Sequence, residues 1–237
     1  MIDIHSHILP GIDDGARSLE DSIEIIQELA KQGVTDVIAT PHYVDESIYT
    51  SPRGKNLHLI NELRKSLQDE EINVNIYLGN EIYINDKIES LIEANEVSTL
   101  AGSEYLLVEL PMSGEYPNYF DIIITLKQAG YQVVLAHPER YIAMQDDFEK
   151  VRELYNSGVL LQCNLGSILG QYGKHAKKTI KELAKNKMIF AFGSDIHHCN
   201  NMWSLKKVRD KLAKYYSEDE LRQILVDNPQ KIIDRAV

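Results

Sequence analysis

Apolar residues along the chain form short continuous runs that alternate with segments of helical periodicity. Continuous runs rich in Val, Ile and Leu are typical of parallel strands that are buried on both faces. Seven runs have this character, at residues 2–7, 34–39, 74–81, 105–109, 132–136, 159–164 and 188–193. The pattern therefore predicts seven buried strands.

Helical spacing of apolar residues occupies the segments between these runs. The first predicted helix begins at Ser18, whose side chain can cap it, and ends at Gly33. Further helices are predicted near residues 57–68, 84–93, 120–129, 148–157, 176–186, 205–215 and 218–226. The chain thus repeats the order strand, helix, strand.

This alternation predicts an α/β fold with a parallel sheet. A distorted TIM-like (β/α) barrel is favoured over an open doubly wound sheet, because nearly every strand has a polar residue at its carboxyl end. In a barrel those ends converge on one site. The sequence also contains no G-x-G-x-x-G or P-loop motif, which open sheets commonly carry. No linker or repeat divides the chain, so residues 1–237 are predicted to form one domain.

Composition narrows the class of protein. The 25 basic and 36 acidic residues give a net charge of −11, which argues against a nucleic-acid partner. No run approaches the roughly 20 apolar residues of a membrane span, and no signal peptide is visible, so a cytoplasmic protein without direct membrane insertion is expected. Neither Cys163 nor Cys199 is followed by Arg at the sixth position, which excludes a thiolate phosphatase motif.

Two histidines at the end of the first strand are the first candidates for chemistry. His5 and His7 project from the same face because side chains alternate along a strand, so both imidazoles can reach one point. Alone, the pair is equally consistent with two solvated histidines. Further His and carboxylate residues follow other strands or lie in the first loop, so the full candidate set is His5, His7, Asp14, His42, Glu81, Glu109, His137, Asp195 and His197.

Their residue types indicate a metal site. Imidazole and carboxylate ligands without thiolate suit Mn²⁺, Fe²⁺ or Zn²⁺. Nine ligands exceed the needs of one ion, so two or three metals with a bridging carboxylate are expected. Such clusters lower the pKa of a bound water to about 7 and neutralise phosphoryl charge. His58 and His175 are expected to be solvated, whereas His198 is ambiguous.

At these positions the chain resembles the PHP (polymerase and histidinol phosphatase) family. The opening segment from Met1 to Gly15 and the sequence at 137–141 are further similar to the bacterial tyrosine phosphatases of capsule and exopolysaccharide operons. The resemblance implies a PHP-type barrel with three metals, manganese above iron or zinc. It assigns His5, His7, Glu81 and Asp195 to the first metal, Glu81, Glu109 and His137 to the second, and Asp14, His42 and His197 to the third.

The resemblance also implies catalytic roles for Arg140, Asp195 and His42. Arg140 would bind substrate as the phosphate clamp, since its planar fork of donors matches phosphate oxygens. Members of this branch usually carry another arginine five residues after the position of His197, where this chain has Met202. Arg17 is the candidate that would substitute for it.

The implied function is that of a metal-dependent protein-tyrosine phosphatase. A metal-bound hydroxide would attack the phosphorus of a phosphotyrosine protein in line. The expected substrate is the tyrosine-rich tail of a cognate membrane-associated bacterial tyrosine kinase that regulates capsule or exopolysaccharide synthesis. A histidinol-phosphatase-like enzyme for small molecules and a non-catalytic metal-binding PHP module are the alternatives, and a homo-oligomer is compatible with the sequence.

Overall fold

The computed structural model describes residues 1–114 and 117–235. Within these residues the strands are β1 (Ile2–Ser6), β2 (Asp36–Ala39), β3 (His42–Tyr43), β4 (Asn75–Leu78), β5 (Glu81–Tyr83), β6 (Tyr105–Glu109), β7 (Gln132–Leu135), β8 (Leu160–Asn164) and β9 (Ile189–Gly193). Only two residues separate β2 from β3, and two separate β4 from β5. The seven predicted runs are therefore present. The run at 74–81 is interrupted, and the run at 34–39 is followed by the short strand β3, which was not predicted.

All the strand pairs are parallel and together form a closed ring. One sheet has the order β1-β2-β4 and the other the order β3-β5-β6-β7-β8-β9. The ring closes between the first and last strands, where the His7 amide donates to the Ile196 carbonyl at 3.1 Å and the Asp195 amide donates to the His5 carbonyl at 2.8 Å. The predicted distorted barrel is confirmed.

The strand interruptions have a local chemical cause. Pro41 has no amide hydrogen to donate to a neighbouring strand, so β2 cannot continue through it with regular pairing. Asn80 occupies the corresponding break between β4 and β5 and is fully buried. Its amide nitrogen donates to the Pro41 carbonyl and to the Ser51 hydroxyl, both at 3.0 Å, and its oxygen accepts from the Ser98 amide at 2.9 Å. The side chain thus replaces the missing ladder bonds.

The short strands beyond the breaks bring chemically active residues side by side. His42 pairs in register with Glu81 across β3 and β5, and Tyr83 pairs with Glu109 across β5 and β6. Each break therefore lets the chain restart its pairing with a site residue at the carboxyl end of the barrel.

Helices surround the barrel at α1 (Leu19–Lys31), α2 (Arg53–Asp69), α3 (Ile88–Glu93), α4 (Tyr119–Gln128), α5 (Ile142–Asp146), α6 (Phe148–Asn156), α7 (Leu165–Leu169), α8 (Gly173–Lys185), α9 (Leu205–Leu212), α10 (Glu218–Arg222) and α11 (Asn228–Ile233). The Ser18 hydroxyl caps α1, as predicted, by accepting from the Asp21 amide at 3.2 Å. Among the described residues no helix has both the length and the apolar character needed to cross a bilayer.

Several predicted helix boundaries were wrong. The helix expected at 84–93 begins only at Ile88, and the one expected at 205–215 ends at Leu212. The segment expected as one helix at 218–226 is α10 followed by a π-helical turn at Gln223–Asp227. The helices α5 and α7 were not predicted, because five residues are too few to display a hydrophobic period.

Two buried apolar clusters stabilise the barrel. The smaller one gathers residues from β1, β2, β6, β7 and β9, so it fills the interior of the ring. On β6 it includes Tyr105 and Leu107, and Glu109 follows two residues later on the same face. The larger cluster packs the outer faces of the strands against the helices. The interior therefore changes from apolar to ionisable at the carboxyl end of the barrel.

We expect Tyr141→Phe to destabilise the fold by about 1–3 kcal/mol, because two backbone groups at the strand ends lose their partner. The Tyr141 hydroxyl donates to the Ala136 carbonyl at 2.8 Å and accepts from the Leu110 amide at 3.0 Å, and the residue is only 2% exposed. Urea unfolding would measure the change. Tyr155→Phe, at a residue 41% exposed on α6, is the matched control and should alter stability by less than about 0.5 kcal/mol. Equal effects of the two variants would contradict the prediction.

Candidate metal centre

All nine predicted ligand residues lie at the carboxyl end of the barrel, in a connected group. His5 and Glu109 are in strands β1 and β6, and His42 and Glu81 begin β3 and β5. The other five lie in the segments after strands, namely His7, Asp14, His137, Asp195 and His197. Six of the nine are less than a tenth exposed as whole residues, namely His5, His7, Glu81, Glu109, His137 and Asp195.

The first group has the spacing of ligands around one ion. The His5 Nε2 atom lies 3.2 Å from His7 Nε2, 3.3 Å from Glu81 Oε1 and 3.5 Å from Asp195 Oδ1. His7 Nε2 lies 3.4 Å from Glu81 Oε2 and from Asp195 Oδ1. Four ligands arranged as a tetrahedron at about 2.1 Å from a metal would be about 3.4 Å apart. The donor atoms of His5, His7 and Glu81 therefore fit a bound metal ion, and Asp195 lies within ligand spacing of both histidines.

Hydrogen bonds to the outer ring nitrogens orient both imidazoles. The His5 Nδ1 atom is 2.8 Å from the Gln162 Oε1 atom, and His7 Nδ1 is 2.8 Å from Asp13 Oδ2. Because these oxygens accept the Nδ1 protons, both Nε2 atoms turn toward the same point, as in metal-ligating histidines. In the absence of metal, burial opposes a positive charge on His5 and His7, but the surrounding carboxylates outweigh it and raise the pKa of both. A proton and a metal cation therefore compete for these nitrogens.

The carboxylate of Glu81 lies between two sets of nitrogens. Its Oε1 atom is 2.9 Å from His137 Nε2, and its Oε2 atom is 2.9 Å from His42 Nδ1. The contact between Glu81 Oε2 and His42 Nδ1 lacks hydrogen-bond alignment. Among the described residues, these two atoms are buried without a hydrogen-bond partner. A cation would satisfy both atoms, so Glu81 has the position of a bridging ligand.

Glu109 lies beside this bridge. Its oxygens are 3.7 Å from His137 Nε2 and 3.8 Å from His42 Nδ1. Burial, together with the negative charge of Glu81, raises the pKa of Glu109 to about 8. Two neighbouring buried carboxylates repel one another unless a cation or proton lies between them. The pair therefore also fits a metal.

A third group lies nearer to the solvent. Asp14 Oδ1 is 3.4 Å from His42 Nε2 and 3.3 Å from His197 Nε2. Hydrogen bonding to these two imidazoles lowers the pKa of Asp14. The imidazole of His42 joins two groups, since its Nδ1 side faces Glu81 and its Nε2 side faces Asp14. Burial and His7 oppose a charge on His42, but Glu81 and Asp14 outweigh them and raise its pKa to about 10.

Unusual backbone conformations direct two of these side chains. His137 and Asp195 have positive φ angles of 31° and 51°, which residues other than glycine seldom adopt. Such conformations persist where surrounding contacts hold them and are frequent at functional sites. Gly193 permits the close approach of the first strand, because a Cβ atom there would lie 2.6 Å from the His5 Cβ atom.

The candidate clamp Arg140 lies at the edge of the cluster. One guanidinium nitrogen is 2.5 Å from Asp195 Oδ2, and the group packs over the Tyr172 ring at 4.6 Å from its centroid. Burial opposes the Arg140 charge, but Asp195 outweighs it and raises the pKa. Arg140, Tyr172 and His197 line one cavity of about 280 Å³. The side chain is 25% exposed, so an anion in this cavity can reach it.

The residue that replaces the expected second arginine has an apolar environment. Met202 is half-buried and packs against the larger core cluster. Arg17 is exposed and lines a neighbouring cavity with Glu24 and His198. The ambiguous His198 thus belongs to that cavity. His58 is exposed on α2, as expected.

Sequence reasoning missed the residues that support the ligands. Asp13 accepts from the His7 ring and also from the His42 amide at 3.0 Å. Gln162 and Asn164 are fully buried on β8, where Gln162 contacts the His5 ring and Asn164 contacts the Asp195 carboxylate. One signal was available, since two polar residues alternate at the carboxyl end of an otherwise apolar strand.

Comparison with known proteins places this chain in a family. The family model described as "Capsular polysaccharide synthesis, CpsB/CapC" matches residues 1–234. The tyrosine-protein phosphatase CpsB of Streptococcus pneumoniae is 32% identical over 243 residues, which cover 98% of each chain. The tyrosine-protein phosphatase YwqE of Bacillus subtilis is 33% identical over 238 residues, covering 98% of this chain and 91% of that protein.

Solved structures agree with this assignment. A chain from the crystal structures of YwqE and CpsB, described as unique metal-dependent tyrosine phosphatases, matches with a TM-score of 0.93 and 28% identity, covering 100% of this chain and 96% of that chain. An amidohydrolase from Mycoplasma synoviae matches at a TM-score of 0.63 and 14% identity, covering 98% of this chain and 87% of that chain, so it shares the fold alone. The predicted relationship to tyrosine phosphatases of capsule operons is confirmed, and the chain belongs to the CpsB/CapC family.

Proposed function

We propose that this chain is a metal-dependent protein-tyrosine phosphatase. The observation that carries the proposal is the bridging position of Glu81, a carboxylate only 1% exposed whose two oxygens face separate sets of imidazoles. A buried carboxylate in such surroundings needs positive charge on both sides. Family membership and the names of the relatives support the same activity.

The proposed metal ligands are the nine residues of the cluster. His5, His7, Glu81 and Asp195 would hold the first ion, Glu81, Glu109 and His137 the second, and Asp14, His42 and His197 the third. The resemblance to the tyrosine phosphatases of capsule operons favours manganese, and the nitrogen and oxygen donors are also compatible with iron and zinc. When bound, these metals would activate water and neutralise phosphoryl charge.

Residues of the chain itself would bind and orient the substrate. Arg140 faces the cavity and presents guanidinium donors to phosphoryl oxygens, while Asp195 holds its position. Charge that develops on those oxygens in the transition state would be stabilised by this fixed cation. The leaving phenolate has a conjugate acid of pKa about 10, so it departs with less protonation than a seryl alkoxide requires. These features favour an aryl phosphate.

The proposed natural substrate is the tyrosine-rich tail of a cognate membrane-associated tyrosine kinase, with the phosphatase acting in the cytoplasm. The support is the family's description as a capsular polysaccharide synthesis family and the tyrosine-phosphatase names of its members. Dephosphorylation of such a kinase would regulate capsule or exopolysaccharide synthesis.

The first test is substrate choice in the presence and absence of metal. Purified protein loaded with Mn²⁺ should release phosphate faster from a phosphotyrosine peptide than from a phosphoserine peptide or from histidinol phosphate, because phenolate is the better leaving group. A chelator should abolish the activity and added Mn²⁺ should restore it. Malachite-green detection of phosphate would measure both effects. Preference for histidinol phosphate would instead support the small-molecule alternative, and no hydrolysis of any ester would support a non-catalytic module.

Removal of a proposed ligand should reduce metal binding. We expect His5→Ala to weaken metal affinity by at least about 100-fold and to remove activity, since His5 contributes a nitrogen to the first group. Metal content would be measured by elemental analysis after dialysis. His58→Ala is the matched control, because that imidazole is 75% exposed on α2 and should leave both properties unchanged. Full activity of His5→Ala would refute the proposed site.

Removal of the proposed clamp should affect substrate and not the metal. We expect Arg140→Ala to lower kcat/KM by about 10²–10³-fold, because a fixed cation no longer stabilises the phosphoryl oxygens. Metal content should stay close to that of the wild type. Arg152→Ala, at a surface arginine of α6 that pairs with Glu149, is the control. If both variants hydrolyse the phosphotyrosine peptide equally well, Arg140 is not the clamp.

A further inference from the structure

We propose that two buried amides on β8, those of Gln162 and Asn164, position the first metal group and hold the phosphate clamp through a single chain of hydrogen bonds. The proposal rests on the proposed function, since it treats His5 and Asp195 as ligands and Arg140 as the clamp. Both amides are 0% exposed. Neither side chain is part of the cavity lining itself, so they act as positioning residues.

The hydrogen bonds that connect His5, Gln162, Asn164 and Asp195 run in one consistent donor-to-acceptor direction. Gln162 Oε1 is 2.8 Å from His5 Nδ1 and accepts from the His137 backbone amide at 3.4 Å. The Gln162 amide nitrogen therefore points the other way and donates to Asn164 Oδ1 at 3.0 Å. The Asn164 amide nitrogen in turn donates to Asp195 Oδ2 at 2.6 Å. Rotation of either amide by 180° would place donors against donors, so each one determines the orientation of the other.

As a consequence, the two carboxylate oxygens of Asp195 have different partners. The Oδ2 atom accepts from both Asn164 and Arg140, at 2.6 Å and 2.5 Å. The Oδ1 atom is left facing His5 Nε2 and His7 Nε2. The carboxylate is thereby kept in a one-oxygen ligand geometry toward the first metal group. The Oδ2 atom therefore links Asn164 to Arg140.

A second anchor links the same strand to the turn that carries Arg140. The Asn164 backbone amide donates to Glu139 Oε1 at 2.8 Å, and the Ser167 hydroxyl donates to that oxygen at 2.7 Å. Glu139 is fully buried and lies between His137 and Arg140 in the chain. Through Glu139, the turn after β7 that carries His137 and Arg140 is therefore anchored to β8 as well.

Loss of either amide should therefore disturb metal binding without direct loss of a ligand. Without the Gln162 oxygen, the His5 ring can rotate or exchange its tautomer, so Nε2 is no longer held toward the metal. Without the Asn164 nitrogen, only Arg140 holds the Oδ2 atom of Asp195. The carboxylate can then rotate and present Oδ2 instead of Oδ1 to the first metal group. Supporting residues of this kind typically change metal affinity by about 10–100-fold.

The experiment compares the full-length variants Gln162→Met, Gln162→Glu and Asn164→Leu with the wild type. Metal affinity is measured with Mn²⁺ and Zn²⁺ by competition against a chromophoric chelator, and folding by circular dichroism. We expect Gln162→Met and Asn164→Leu to bind metal about 10–100-fold more weakly. Asn228→Leu is the matched control, because that buried amide donates to the Phe190 carbonyl at 2.8 Å and its removal should leave metal affinity unchanged.

The variant Gln162→Glu separates the two roles of these hydrogen bonds, which are to orient His5 and to hold Asp195 with Arg140. It also retains a polar group, so it remains a test if the apolar variants do not fold. Its carboxylate still accepts from His5 but cannot donate to Asn164, so the orientation of the His5 ring should be retained while KM for the phosphotyrosine peptide rises at least about 10-fold through loss of the Asp195–Arg140 arrangement. The His5 ring can be followed separately by nitrogen NMR in the Zn²⁺-loaded protein. The Nδ1–H tautomer should be present in the wild type and in Gln162→Glu.

Two outcomes would overturn the proposal. One is metal affinity within twofold of the wild type in folded Gln162→Met and Asn164→Leu. The other is a Gln162→Glu protein with unaltered KM, or with a His5 tautomer different from that of the wild type. If the affinity pattern holds but the wild type hydrolyses no phosphate ester, the positioning role stands and only the proposed phosphatase function fails.

Discussion

The burial of negative charge at the carboxyl end of the barrel is the constraint on which the rest of the structure depends. Glu81 and Asp195 are nearly inaccessible to solvent, and burial alone would raise their pKa values. The surrounding imidazoles outweigh that effect and lower both. Charges of this kind persist inside a protein only when they are paired or coordinate metals. The fold must therefore bring histidines from opposite sides of the ring to the same few ångströms.

The barrel meets this requirement by interrupting its own strands. Beyond Pro41 and Asn80 the strands restart with His42 and Glu81 side by side. On the opposite side, His137 and Asp195 adopt left-handed backbone conformations as the chain leaves β7 and β9. Regular strands would continue the alternation of side chains and send some of these groups away from the axis. The irregular positions are where ionisable residues replace the apolar barrel interior.

A further layer of polar contacts orients the cluster. Asp13 and Gln162 accept from the outer nitrogens of His7 and His5, and Asn164 donates to Asp195. Arg140 meets the same carboxylate from the cavity side. Because a buried amide or carboxylate that loses its partner is costly, these contacts restrict rotation of every group they touch. Rigidity of the site and its proposed affinity for metal and phosphate therefore share one network.

The amino-acid sequence by itself determined the parallel α/β class, the seven strand positions and the nine residues that gather at the barrel mouth. Those features follow from local patterns, namely continuous apolar runs and polar residues at their ends. Motif resemblance also pointed to the correct family. Sequence could not reveal that His42 joins two groups, or that Gln162 contacts His5 across 157 positions of the chain. Such contacts arise from strand breaks, positive φ angles and ring closure, which depend on long-range packing that only the tertiary structure decides.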